Sequence, residues 1–385
     1  MFSVKVRTII LAIIFYLGVS SVVCAQQPSS DSSQGGSSPS KENPTGGAPD
    51  PVADAPELPA IPGANFRILK DGEKVPERAH PDYEDWSHPQ LDAHMKMEVS
   101  HLAKTESAGV IRELVSVQWR EMDPIDLWII RPSDVKKPPA ILYLYSYPSN
   151  NDRYRDAEFC KFLTRNGFAA IGFVSAINGE RVHDRARRDW FVSQLQEGLG
   201  ASVHDVQMIL NYLAARGDLD MERVGMWADG SGAAIAIMAS AVDSRIKVLD
   251  LLNPWGDWPE WLAQTPLISD EKRPGYVRPE FLQTVQDLDP VKWFPKVKAQ
   301  QVRLQIVDSG IKVTPDSVRQ KIEAAAPRGA EIVHYDSSKA FLTNVASTGK
   351  GFDWIKERLS PSANLQLSGD LTKANRTGES SSSVR

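Results

Sequence analysis

Residues 223–236, RVGMWADGSGAAIA, constrain the fold of this chain more than any other stretch. A short apolar run breaks into small residues and then becomes alanine-rich, which reads as a buried strand, a sharp turn and a helix. The small residues at Ala228, Gly230 and Gly232 let strand and helix approach closely, so this junction sits in the interior of a layered domain.

The flanking sequence supplies the layers. Residues 140–145 and 168–174 are continuous apolar runs, as strands buried on both faces require. A helix is expected between them over 156–165, closed by Gly167. Residues 202–216 place Val203, Val206, Ile209, Leu210 and Leu213 on one helical face, with Ser202 as cap and Gly217 as stop. Further strands are expected at 246–252, 302–307 and 332–335, and further helices at 316–324 and 352–359. Upstream, 111–119 and 125–130 read as an antiparallel hairpin at a sheet edge, turned by Met122, Asp123 and Pro124. Residues 86–104, with Leu91, Met95 and Leu102 at helical spacing, read as a helix before the sheet. Alternating strands and helices predict an α/β fold: a mostly parallel central sheet flanked by helices, with right-handed crossovers.

The ends differ in composition. Lys5 and Arg7 precede an apolar segment at 9–23 and then Val23, Cys24 and Ala25, the pattern of a signal peptide cleaved after residue 25. The apolar run is shorter than a membrane span needs, so stable membrane insertion after cleavage is not expected; retention as an anchor is the alternative. Ser21 and Val23 suit a lipoprotein site at Cys24 poorly. Residues 26–58 and 361–385 are rich in Ser, Gly and Pro and lack the apolar side chains that offset chain ordering, so the folded domain is expected at 59–360. Cleavage leaves Cys160 as the only cysteine, in an apolar helical pattern that makes it a buried small hydrophobe. The formal net charge is −5 with dispersed cations, and the run Arg181, Arg185, Arg187 and Arg188 is the nearest approach to a basic patch. No nucleic-acid footprint follows from it. His88, His94 and His101 have no metal-ligand spacing, and Gly225 to Gly230 lacks the Lys and Ser or Thr of a phosphate loop. No metal or other cofactor is implied.

The segments SVHDVQMILNYLAARGDLDMERVGMW and LDPVKWFPKVKAQQVRLQIV, with the 223–236 junction between them, resemble the α/β-hydrolase superfamily, especially its dienelactone hydrolase and acetyl xylan esterase branch. The resemblance covers about residues 111–359. It implies a nucleophile at a strained turn, then an acid, then a histidine, in that chain order. Counted from the strand, the nucleophile position is Gly230, with Ser231 one residue late and Asp229 one early. The turn marked by Val313, Thr314 and Pro315 puts Gly310 at the acid position, between Asp308 and Asp316. Ser338, Lys339, Ala340 and Phe341 put Lys339 where the family has histidine, and His334 is the only histidine after the turn. The resemblance also implies a backbone N–H after the 140–145 strand, where Ser146 or Tyr147 can donate but Pro148 cannot.

Three positions without a competent side chain point to a hydrolase-like domain that has lost hydrolysis and acts in binding. The competing expectation is an exported carboxylic ester hydrolase using Ser231, Asp308 and His334. Trp255, Trp258 and Trp261, at the place of a lid insertion, together with Tyr147, are the candidate ligand contacts. Their aromatic faces suit a glycan or an ester-like small molecule, and pinning a lid to the sheet is the alternative role.

Overall fold

Strands β1 (Glu98–Ser107), β2 (Val110–Gln118), β3 (Ile125–Pro132), β4 (Pro139–Leu144), β5 (Ala169–Gly172), β6 (Asp220–Asp229), β7 (Ile246–Leu252), β8 (Gln301–Val307) and β9 (Glu331–Tyr335) form one sheet in the order β1-β2-β3-β5-β4-β6-β7-β8-β9. From β5 through β9 every pairing is parallel; β1–β2, β2–β3 and β3–β5 are antiparallel. This computed structural model describes residues 86–87, 89–91, 97–120, 123–178, 190–308 and 313–360. The expected signal peptide at 1–25, the expected linker at 26–58 and tail at 361–385, the arginine run at 181–188, His88, His94 and Gly310 lie outside the described residues. Among the described residues no helix is long and apolar enough to cross a membrane.

Helices cover both faces because the inner strands are apolar on both. Leu142, Leu144, Met226, Ala228, Leu249 and Leu251 face α2 (Leu195–Arg216) and α3 (Gly230–Val242). The alternate residues Ile141, Tyr143, Trp227 and Val248 face α1 (Ala157–Thr164) and α5 (Asp353–Leu359), and α4 (Asp316–Ala325) packs Val318 and Ile322 into the first layer. Cys160 on α1 is fully buried, its thiol donates to the Tyr154 carbonyl, and burial pushes its pKa up to about 11.

Two expectations are corrected. Residues 98–107 are not helical but form the edge strand β1. Most of its side chains are exposed, so burial leaves no alternating apolar signal, while pairing with β2 satisfies its backbone. The β2–β3 hairpin therefore lies one strand in from the edge. Helix α2 begins at Leu195, well before Ser202. Ser202 is buried and does not cap: its hydroxyl donates to Gly198 O and accepts the Ala176 N–H, so it joins the helix to a neighbouring turn.

A buried charged network joins the last three strands. The fully buried carboxylate of Asp250 on β7 accepts two bonds from Arg303 on β8, at 2.9 and 2.7 Å, and one from Gln305 at 2.8 Å. Gln305 in turn accepts from the Tyr335 hydroxyl on β9 at 3.1 Å, and the Arg303 guanidinium stacks 4.8 Å from the centre of the Trp354 ring. Removing one member of such a pair strands the other charge in a dry interior. Asp250→Ala is therefore expected to destabilise the fold by about 3–5 kcal/mol in chemical denaturation, with Asp250→Asn losing less because it retains an acceptor for Arg303.

Candidate functional site

After β4 the chain moves outward to β5 and then returns across β4 to form β6, so the strand order reverses between β4 and β6. The crevice outside the carboxyl ends of strands at such a reversal is where open α/β sheets hold ligands. Leu144, Tyr145, Ser146 and Tyr147 leave β4 on one side of it. On the other side β6 ends at Asp229 and turns through Gly230 into α3.

Gly230 sits at the tip of that turn with φ +54°, a conformation L side chains rarely adopt. A Cβ there would overlap Ser146 Oγ and lie 2.7 Å from Ser146 Cβ and 3.2 Å from Trp255 Nε1. Two residues later, a Cβ on Gly232 would lie 2.8 Å from the Leu144 carbonyl carbon, so β4 and α3 touch through backbone alone. Ser231 points into this contact and is 0% exposed. Its hydroxyl accepts the Tyr147 N–H at 2.8 Å, and its own N–H donates to Ser146 Oγ at 3.2 Å. The two backbone donors flanking the tip are thus both engaged by serine hydroxyls of the protein.

The other sequence candidates are scattered. Asp308, just past β8, has an exposed side chain 3.5 Å from Arg319, which also pairs with Asp316. His334 lies within β9 opposite Ile306, 58% exposed, with Nε2 3.4 Å from Glu323 Oε2 on α4. Three strand spacings separate β6 from β9, about 14 Å at ~4.8 Å each, so His334 does not meet Ser231. Lys339 is exposed on the short helix Ser338–Phe341.

The tryptophans do not form an open platform. Trp255, Trp258 and Trp261 are 2%, 0% and 0% exposed. Trp255 stacks on Trp261 with ring centres 4.6 Å apart, Trp258 meets Trp261 edge-on at 5.8 Å, and Trp258 Nε1 donates to Leu288 O at 2.9 Å. The Asp289 carboxylate accepts the N–H groups of Asp257, Trp258 and Val291, which fixes the segment. The pinning role expected as the alternative is the one the packing supports. Tyr147 remains half-buried at the rim.

A different carboxylate, Asp229, ends β6 beside the turn. Asp229 is half-buried, beside Tyr145, the Ser146 N–H and Arg153, whose guanidinium lies 3.5 Å above the centre of the Tyr145 ring. Burial pushes the Asp229 carboxyl up to about 6, against the opposing pull of Arg153 and of the Ser146 N–H.

No protein-family model matches the sequence, and no curated protein does. Among solved structures the chain is similar to acetyl xylan esterase 1 from Thermoanaerobacterium sp. JW/SL YS485, with a TM-score of 0.50 and 13% identity over 67% of this chain and 87% of that one. It is equally similar to a cold-adapted esterase from an Arctic intertidal metagenomic library, with a TM-score of 0.50 and 14% identity over 68% of this chain and the whole of that one. The fold is that of the α/β hydrolases. Within this fold the Gly230 turn is the junction from β6 into α3.

Sequence reasoning placed Gly230 at the tip correctly, but weighed Ser146 only as a backbone donor and Asp229 only as a misplaced nucleophile. No local pattern shows that the Ser146 hydroxyl reaches across to the turn, because it lies 85 positions from the Ser231 N–H that it accepts. The signal for Asp229 was present: alternation along β6 puts Trp227 and Asp229 on one face, and an acid at the end of a buried strand is out of place unless it faces the crevice.

Steric coupling across the turn gives a direct check. Gly230→Ser alone is expected to destabilise the protein by about 1–3 kcal/mol, from positive φ and overlap with Ser146. Adding Ser146→Gly should recover at least about 1 kcal/mol of that loss in a double-mutant cycle by chemical denaturation.

Proposed function

We propose that this protein is an exported α/β-hydrolase-fold protein that binds a small molecule at the ends of β4 and β6 and does not hydrolyse it through an acyl-enzyme. The observation that carries the reading is the occupancy of the turn: Gly230 has no side chain to attack with, and the space its side chain would need is filled by the Ser146 hydroxyl. Covalent catalysis needs a nucleophile held by a base. Ser231, the nearest hydroxyl on α3, is buried and bonded to the Tyr147 N–H. His334 and Asp308 engage Glu323 and Arg319 instead. The engagement of both backbone donors also supports the reading, since acyl transfer requires them free to receive a developing oxyanion. The ligand surface is then the rim formed by Tyr145, Tyr147 and Asp229 rather than the buried tryptophans, which leaves a glycan or ester-like ligand without its stacking platform.

Export rests on the N-terminal sequence, and mature protein should begin at Gln26. The ester hydrolase built on Ser231, Asp308 and His334 makes the opposite prediction for the site. Purified protein is expected to show no covalent labelling by a fluorophosphonate and no hydrolysis of p-nitrophenyl acetate above the level of a Ser231→Ala variant. Labelling that disappears in Ser231→Ala would overturn the binding reading.

A further inference from the structure

The amino ends of β7 and β8 carry a cluster of cations that the crevice does not use. Residues 291–300, VKWFPKVKAQ, hold Lys292, Lys296 and Lys298 and no acidic residue, in a chain whose formal net charge is −5. They run through the short helices Pro290–Trp293 and Phe294–Lys296 and then feed β8. Lys292 faces Asp287 at 3.8 Å, which offsets its charge. Lys296 and Lys298 are exposed, and among the described residues neither pairs with an Asp or Glu.

The fold brings a third such lysine beside them. The Lys298 N–H donates to Ser240 O at 3.0 Å and the Gln300 N–H to Lys247 O at 2.8 Å, tying the segment to the end of α3 and the start of β7. Each ammonium is then held by a different neutral group. Lys298 Nζ donates to Val242 O and Lys247 Nζ to Ser244 O, both at 2.9 Å, while Lys296 Nζ stands 4.3 Å from the centre of the Trp293 ring. Carbonyls and an indole orient these cations without cancelling their charge. Asp243, between α3 and β7, pairs with Arg245 instead. Capping of α3 accounts for Lys298, which bonds its last residue, but not for Lys296, whose contact is the indole.

Two properties select the partner. The three ammoniums sit on three separate anchors, an arrangement suited to a continuous negative surface more than to one small anion. Trp293 lies among them half-buried, its Nε1 donating to Asp287 O at 2.6 Å and its face toward Lys296. An indole with a lysine across its face suits the boundary between lipid headgroups and acyl chains, where the ring meets apolar material and the ammonium stays wet. A soluble polyanion offers the ring no such layer. The location fits as well: β6, β7 and β8 run parallel, so the cations stand at the end of the sheet opposite the crevice. The seven residues of β7 put about 20 Å between the two ends, and a molecule adsorbed through the cations keeps the crevice open to solvent.

We propose that Lys247, Lys296, Lys298 and Trp293 form a peripheral docking surface for a membrane bearing anionic phospholipid headgroups. The contact is adsorption at the headgroup layer, and it goes beyond the reading of the crevice without depending on it.

The mature protein is mixed with phosphatidylcholine vesicles, or with vesicles that also contain phosphatidylglycerol, and binding is read by co-sedimentation. Anionic vesicles are expected to bind at least about tenfold more tightly than neutral ones. The difference should disappear at ~1 M salt, where the Debye length is about 3 Å. Lys296→Glu should weaken binding to anionic vesicles about tenfold, with Lys296→Gln falling between it and the wild type. Thermal melting checks that both variants keep the wild-type fold. Anionic vesicles with brominated acyl chains should quench part of the tryptophan fluorescence, and Trp293→Phe should remove that part. Equal binding to both kinds of vesicle, unaltered binding by folded Lys296→Glu, or quenching that survives Trp293→Phe overturns the proposal. So does binding of heparin as tight as that of anionic vesicles with no quenching by brominated lipid, which would make the cations a site for soluble polyanions. Failure here leaves the crevice reading standing, whereas fluorophosphonate labelling of Ser231 would sink that reading and leave the vesicle result unchanged.

Discussion

The contact between the Ser146 hydroxyl and the backbone of Gly230 and Ser231 holds the centre of this protein together. It closes the sharp turn from β6 into α3 against the end of β4, and it exists only because residue 230 has no side chain. With a Cβ at 230 the two segments separate; without the Ser146 hydroxyl the turn faces an unfilled gap, which close-packed interiors do not tolerate. Ser231 completes the closure from the helix side by accepting the Tyr147 N–H. One small patch of two hydroxyl and two amide groups therefore sets the packing of the two central strands and determines which polar groups reach the crevice above them.

The surroundings reinforce that closure. Asp289 collects three backbone N–H groups and locks the tryptophan segment over α3, and Trp255 comes within reach of the turn itself. Farther along the sheet, the Asp250, Arg303, Gln305 and Tyr335 chain ties β7, β8 and β9 through charge-assisted bonds in a dry layer. These strands carry the Asp308 and His334 candidates, and the same rigidity keeps them at the far edge, engaged with α4. The geometry that makes the sheet stable is the geometry that prevents those groups from meeting Ser231.

Legibility differed between fold and site for a physical reason. The inner strands announced themselves because burial on both faces demands unbroken apolar runs, and the helix stops at Gly167 and Gly217 followed from the left-handed conformation that glycine adopts readily; both have φ near +80° and +74° in the structure. Strand β1 was missed because an exposed edge strand has no apolar face to display, and Ser202 misled because its hydroxyl serves a tertiary contact that outcompetes capping. The tryptophans at 255, 258 and 261 carried aromatic character in the sequence, but whether an aromatic ring meets a ligand or another ring depends on what folds over it.

By itself the sequence determined the layer architecture, the strand-turn-helix at 223–236 and the position of Gly230 at its tip, because periodicity and the steric demands of small residues are local. Only the tertiary structure decided what fills the space above Gly230 and which groups engage the backbone donors beside it. Those outcomes depend on side chains brought together from the ends of β4 and β6, far apart in the chain, and no local spacing encodes the approach of one hydroxyl to one distant amide.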